Sequence, residues 1–149
     1  MSGEAMLAYL AGIDLALIAL ELGDHARAAE RARELLAGAE AHAATWYYGN
    51  AIHYANIALG HVALAANALE SAKLHLAAAG ATCGSPQLDS FGPDFELAQA
   101  ILATGEHDAV VAYLEACKRF WRLDHGKLAQ WSAAVSRGEL PRMGRRSAQ

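Results

Sequence analysis

Thr45-Trp-Tyr-Tyr-Gly-Asn-Ala-Ile-His-Tyr-Ala-Asn-Ile-Ala-Leu-Gly-His-Val-Ala-Leu64 decides how the chain folds. It lacks proline and holds three of the five tyrosines, together with amides and two histidines. At 3.6 residues per turn it resolves into three stripes. Tyr48, Ile52, Ala55, Leu59 and Val62 are mainly apolar. Trp46, Gly49, His53, Asn56, Gly60 and Ala63 are small or polar, with an aromatic at one end. Tyr47, Asn50, Tyr54, Ile57 and His61 are mixed and mainly wettable. A helix built this way can be packed on two sides and leave the third free.

Working outward, the flanking segments read as alanine-rich amphipathic helices. Met6, Tyr9, Leu10, Ile13, Leu17 and Leu20 recur at spacings of three and four until Gly23-Asp24 stops them. Asp24 is placed to cap a helix from about His25 to Ala37. Beyond the central stretch a break near Asn67 precedes a helix that ends at Gly80. Ala81 to Pro93 carries turn chemistry, Thr-Cys-Gly-Ser-Pro-Gln and Ser-Phe-Gly-Pro. Helices follow over Asp94–Thr104, from Glu106 to about Trp121, and over roughly Gly126–Arg137. No segment alternates like a strand. The fold expected is all-α, one domain over 1–137 with a flexible basic tail over 138–149.

With 149 residues, 54% hydrophobic and 19% charged, the chain is long and apolar enough for a real core. A net charge of −4 argues against nucleic acid, which requires clustered Lys and Arg. Arg137, Arg142, Arg145 and Arg146 do cluster, but in the expected tail. The most apolar run, Leu7 to Leu20, is broken by Asp14, so no membrane span is expected. Cys83 and Cys117 imply no disulfide framework and suit a cytoplasmic setting. No histidine pair has ligand spacing, so neither metal nor cofactor is expected.

The helices come in pairs. Leu15-Ala16 with Gly23, Ala28, Ala32 and Leu35 forms one unit; Leu59-Gly60 with Asn67, Ala72, Leu76 and Ala79 a second; Leu97-Ala98 with Gly105, Val110, Leu114 and Cys117 a third. Offsets within each are 0, 1, 8, 13, 17 and 20. This resembles the tetratricopeptide repeat family, which implies about three stacked antiparallel hairpins plus a C-terminal helix. The turn residues are 44 and 38 apart, against roughly 34 in the regular family, and the proline expected after the first unit is missing.

The resemblance implies that the first helix of each pair lines a concave side. That places Asn50, Tyr54, Ile57 and His61 on a groove, with Tyr47 at its mouth and Leu17, Leu20, Phe95, Gln99 and Leu102 flanking. Aromatic area with a few polar tips suits a bound peptide or protein segment, a second copy of the chain included, or a small molecule. Family members that hold a terminal carboxylate use Lys and Arg in the groove; none falls on this stripe, so a neutral or basic segment is the expected partner. The competing expectation is that the helix carrying Trp131 folds back and fills the groove. An alternative function is a small enzyme, perhaps of natural-product metabolism, using His61, Tyr54 and Tyr47 for acid–base chemistry. His53 and Asn56, between Gly49 and Gly60, are expected to hydrogen-bond a neighbouring backbone. Gln87, Asp89 and Ser90 in the long loop complete the candidates.

Overall fold

The computed structural model describes residues 3–143. In chain order these form α1 (Gly3–Glu21), α2 (His25–Gly38), a 3-10 turn (Ala39–His42), α3 (Tyr48–Ala65), α4 (Leu69–Gly80), α5 (Pro86–Phe91), α6 (Glu96–Leu102), α7 (His107–Cys117) and α8 (Lys127–Ser136). Among the described residues there is no strand. The fold is all-α. The loop expected over 81–93 contains α5, which the sequence reading left out. The Ser85 hydroxyl caps it by accepting the Leu88 N–H at 3.0 Å, and Pro86 occupies the first turn, where a missing N–H costs nothing.

One turn geometry recurs along the chain. Gly23, Asn67 and Gly105 have φ of 76°, 58° and 96°. The residues that follow, Asp24, Ala68 and Glu106, have φ/ψ of −84/75, −99/68 and −88/83. In all three turns the left-handed residue donates its N–H three residues back, to Leu20, Leu64 and Leu102, at 3.1, 3.0 and 2.9 Å. Asparagine tolerates this conformation through its short polar side chain, so Asn67 stands in for glycine. The turn appears again at Gly138 (φ 82°), whose N–H reaches Val135 O at 2.9 Å. Unequal helix spacing therefore conceals a repeated stop.

Neighbouring helices pack in sequence, an arrangement compatible with a helical repeat. α1 lies on α2 and α3, α2 on α3, α3 on α4, α4 on α6 and α7, and α7 on α8. Two cores meet at α3. Ala51, Ala55, Ala58 and Leu59 join Ile13, Ala16, Ala32 and Leu35 on one side. Ile57 joins Leu76, Leu97, Ile101, Leu114 and Leu128 on the other.

The segment expected to be a flexible basic tail, 138–149, is described as far as Met143. Met143 is buried and donates its N–H to Gln99 Oε1 at 2.7 Å, because its apolar side chain completes the core beside α6 and α8. Arg145 and Arg146 lie outside the described residues.

Two glycines of α3 admit neighbours that a side chain would exclude. A Cβ on Gly49 would lie 1.8 Å from the Gly84 carbonyl oxygen, and one on Gly60 2.3 Å from a Leu97 methyl. Alanine gains helix propensity of about 1 kcal/mol over glycine, but overpacking costs about 1–3 kcal/mol or more. Gly49→Ala, which meets backbone, should lose about 2 kcal/mol net in urea unfolding. Gly60→Ala, which meets a movable side chain, should lose less. Stabilisation by Gly49→Ala would show that the strand of loop carrying Gly84 does not rest on α3.

Candidate functional site

The small stripe of α3 is where the neighbouring backbone docks. Thr82 donates its hydroxyl to Gly49 O at 2.7 Å. One turn further, His53 is fully buried and uses both ring nitrogens. Its Nε2 accepts the Asp94 N–H at 2.9 Å, and its Nδ1 lies 3.1 Å from Ala79 O. A carbonyl can only accept, so Nδ1 carries the proton and the ring is the neutral tautomer. Burial holds the His53 pKa below its ordinary value, against the opposing pull of the Ala79 carbonyl and the Asp94 charge. For Asn56 the expectation of a bond to neighbouring backbone is corrected: it donates to Ile52 O of its own helix at 2.9 Å, and its Oδ1 faces the His75 side chain at 3.1 Å.

The mixed stripe is less open than its sequence suggests. Tyr47 is buried, its hydroxyl 3.1 Å from His42 Nδ1 and its ring 5.7 Å from Tyr9, which stacks on His42 at 3.8 Å. Asn50 is buried as well: it accepts the Ser85 hydroxyl at 2.5 Å and its amide reaches Gln87 Oε1 at 3.4 Å. Ile57 and Phe95 are core residues. Phe95 is enclosed by Trp131, Trp121 and Tyr113, at centroid distances of 5.0, 5.5 and 6.0 Å. The expectation of a wholly free third side is corrected here. α3 is covered by α1, α2, α4, α6 and the 82–94 loop, and Ile57 joins the same core as Met143 and the partly buried Trp131.

What remains accessible is Tyr54, His61 and Gln99, all half-buried. The Tyr54 ring stands edge-on to His53 at 4.9 Å. Burial lowers the His61 pKa, partly offset by the carboxylates of Asp94 and Glu96 at the start of α6. Gln99 holds the Met143 N–H. Tyr47 and His61 are fourteen positions apart on one helix, about 21 Å at 1.5 Å per residue, so one small ligand cannot reach both.

Of the loop candidates, Asp89 accepts the Arg122 N–H at 3.0 Å and so anchors α5 to the chain after α7, while Gln87 and Ser90 are exposed. Cys117 is buried and its thiol is pushed up to about 12 by desolvation, which keeps it protonated and inert. Among the described residues no group of His, Cys, Asp or Glu is placed to hold a metal ion. Sequence reasoning missed Thr82, His42, Arg119 and Met143. Arg119 donates to Gly80 O at 2.7 Å, closing the end of α4. An arginine 39 residues distant gives no local signal for that role. No protein-family model, curated protein or solved structure matches the chain.

The His53 geometry has a consequence for acid stability. Its folded pKa lies below the unfolded value of about 6.5, so its contribution is complete above that pH and is lost as pH falls towards the folded value. Urea unfolding between pH 7 and 5 should therefore weaken, with His53 contributing at most about 1.4 kcal/mol per pH unit. His53→Ala should cost about 3 kcal/mol at pH 7.5 and flatten that profile. A variant that retains the wild-type slope would show that His53 does not titrate with unfolding.

Proposed function

We propose that the chain is a tetratricopeptide-like binding module, and that its recognition surface is the α3–α6 face bearing Tyr54, His61 and Gln99. The ligand is an extended peptide or protein segment with a large unbranched apolar side chain and a neutral or basic flank. The observation that carries this reading is the chain's own segment Glu139–Met143. It is non-helical, Pro141 biases Leu140 towards extended backbone, and Met143 presents a backbone N–H to a side-chain amide on α6. A surface that holds one stretch of irregular chain through its backbone and a methionine has the chemistry to hold another. Asp94 and Glu96 lie within electrostatic reach of His61, and no Lys or Arg stands on the stripe, which favours a neutral or basic segment over an acidic one. The two cysteines, one exposed and one buried, are both free, which supports a cytoplasmic setting.

The test displaces the internal occupant. Met143→Asp in the full chain, and a chain ending at Gly138, should both keep their helical circular dichroism. Each should bind a labelled peptide of residues 138–149 with a dissociation constant on the order of 10–100 μM, a weak value suited to a short unconstrained segment. The wild-type chain should bind it several-fold more weakly, and adding Gln99→Ala should weaken binding roughly threefold to tenfold, the loss of one hydrogen bond. Folded variants that bind neither this peptide nor an alanine-scanned or Met-containing peptide library would end the proposal.

A further inference from the structure

Most of the surface of α1 is apolar, broken by Glu4, Asp14 and Glu21, and among the described residues only one side of it is covered. Ile13, Ala16 and Ala19 are buried against α2 and α3. On the opposite face Leu7, Leu15, Ile18 and Leu22 are 63%, 44%, 50% and 78% exposed. Isolated exposed leucines need no explanation, but a continuous stripe along a helix does. Elsewhere among the described residues the large exposed apolar side chains, such as Trp46, Leu74 and Phe91, lie on separate elements.

The stripe has an internal order that says what covers it. Ala11, Leu15, Ile18 and Leu22 follow one another at spacings of four, three and four, the seam of a two-helix coil. That spacing reads the same from either end. An antiparallel copy therefore brings the seam from Ala11 to Leu22, whose N–H makes the last helical bond to Ile18 O at 3.0 Å, into register, with Ala11 opposite the partner's Leu22 and Leu15 opposite the partner's Ile18. Each end layer then pairs alanine with leucine, and each middle layer pairs leucine with isoleucine. Parallel pairing would instead set alanine on alanine at one end and leucine on leucine at the other, leaving a wedge-shaped gap. A two-fold axis between Leu15 and Ile18 satisfies the rule that the same patch serves both subunits.

Charge separates this occupant from a bilayer. α1 is long and apolar enough, by length and composition, to cross a membrane. Its charged residues, however, are Glu4, Asp14 and Glu21, with no Lys or Arg. An anionic surface repels such a helix, and an aspartate near its centre opposes insertion. The geometry points to a second copy of this chain as the occupant of the α1 face, in an antiparallel two-fold dimer. Asp14 and Glu21 are one heptad apart along one edge of the seam, and the two-fold brings that edge of each copy together. Their like charges moderate an interface that, as a single helix pair, already lies at the small end of stable contacts. The dissociation constant expected is on the order of 10 μM.

Sedimentation equilibrium of the full chain from 1 to 500 μM tests this directly. The mass should rise with concentration from that of one chain to that of two and stop there. Leu15→Glu and Ile18→Glu, at exposed positions that leave the buried face intact, should keep the helical circular dichroism and remain monomeric at all concentrations. Asp14→Asn with Glu21→Gln removes only the edge repulsion and should tighten the dimer roughly threefold to tenfold; added salt should do the same for the wild type and not for this variant. A monomer at 500 μM, a dimer indifferent to Leu15→Glu or to the edge charges, or masses growing beyond two chains would each overturn the two-fold. So would phosphatidylcholine vesicles that take up the wild type but not Ile18→Glu while the protein in solution stays monomeric. That result would assign the face to lipid.

Discussion

Each nitrogen of the His53 ring is committed to backbone, one to the carbonyl of Ala79 at the end of α4 and one to the N–H of Asp94 before α6. Three elements distant in sequence are thereby fixed to one side chain with no solvent between them. The arrangement requires a neutral ring with one donor and one acceptor, and no other side chain offers those two functions at opposite corners of a flat apolar body. Losing either partner would leave a buried polar group unpaired, at a cost of about 1–3 kcal/mol. The neighbouring contacts depend on the same alignment. Thr82 bonds to α3 at Gly49, Ser85 at Asn50 and Asp94 at His53, so the loop is stitched down along successive turns of one helix.

The stitching continues beyond the loop. Tyr113 donates its hydroxyl to Asp94 O at 2.5 Å, and burial keeps the phenol protonated by raising its pKa. The bond extends the His53 junction into α7, whose far end meets Phe120 and Trp121. Trp121 lies against Gly92, where a Cβ would meet the indole at 2.7 Å. Its Nε1 is the buried polar atom that lacks a partner among the described residues. One unpaired indole N–H is a small cost beside the aromatic area that Phe95, Trp121 and Trp131 bury together.

The seven longer helices, the Asp24 cap and the left-handed stops at Gly23, Asn67 and Gly105 were legible in the sequence, because each rests on a local rule. Asp24 accepts the Arg27 N–H at 3.1 Å, and Asn67 takes the positive φ that its place in the repeat requires. The close-approach stripe was legible too, since two glycines flanking a histidine and an asparagine on one face leave few other uses. The open third side was not. Periodicity shows which residues share a face and is silent about how many neighbours arrive there. Tyr47 illustrates the limit: as a phenol on a wettable stripe it reads as a surface group, yet Tyr9 and His42 close over it. Met143 lies past the last periodic segment, amid arginines, and only its burial separates it from a tail.

The α3–α6 face and the outer face of α1 have opposite physical characters. The α3–α6 face proposed for recognition is polar at its tips, Tyr54, His61 and Gln99, and Gln99 already holds the Met143 N–H. On the outer face of α1, aliphatic side chains face water and gain simply by being covered. α3 lies between them, packed on α1 through Ala51 and Ala55 and on the α6 side through Ile57. A two-fold contact through α1 would therefore leave both recognition faces of the pair exposed. On the proposed reading each would bind weakly in isolation, since its own chain competes for it. Pairing two of them on one rigid body would raise affinity for any partner that presents two copies of the matching segment, without a single new contact at either face. A weak, self-occupied groove and a sticky end helix then stop looking like separate defects. The first requires the multiplicity that the second can supply.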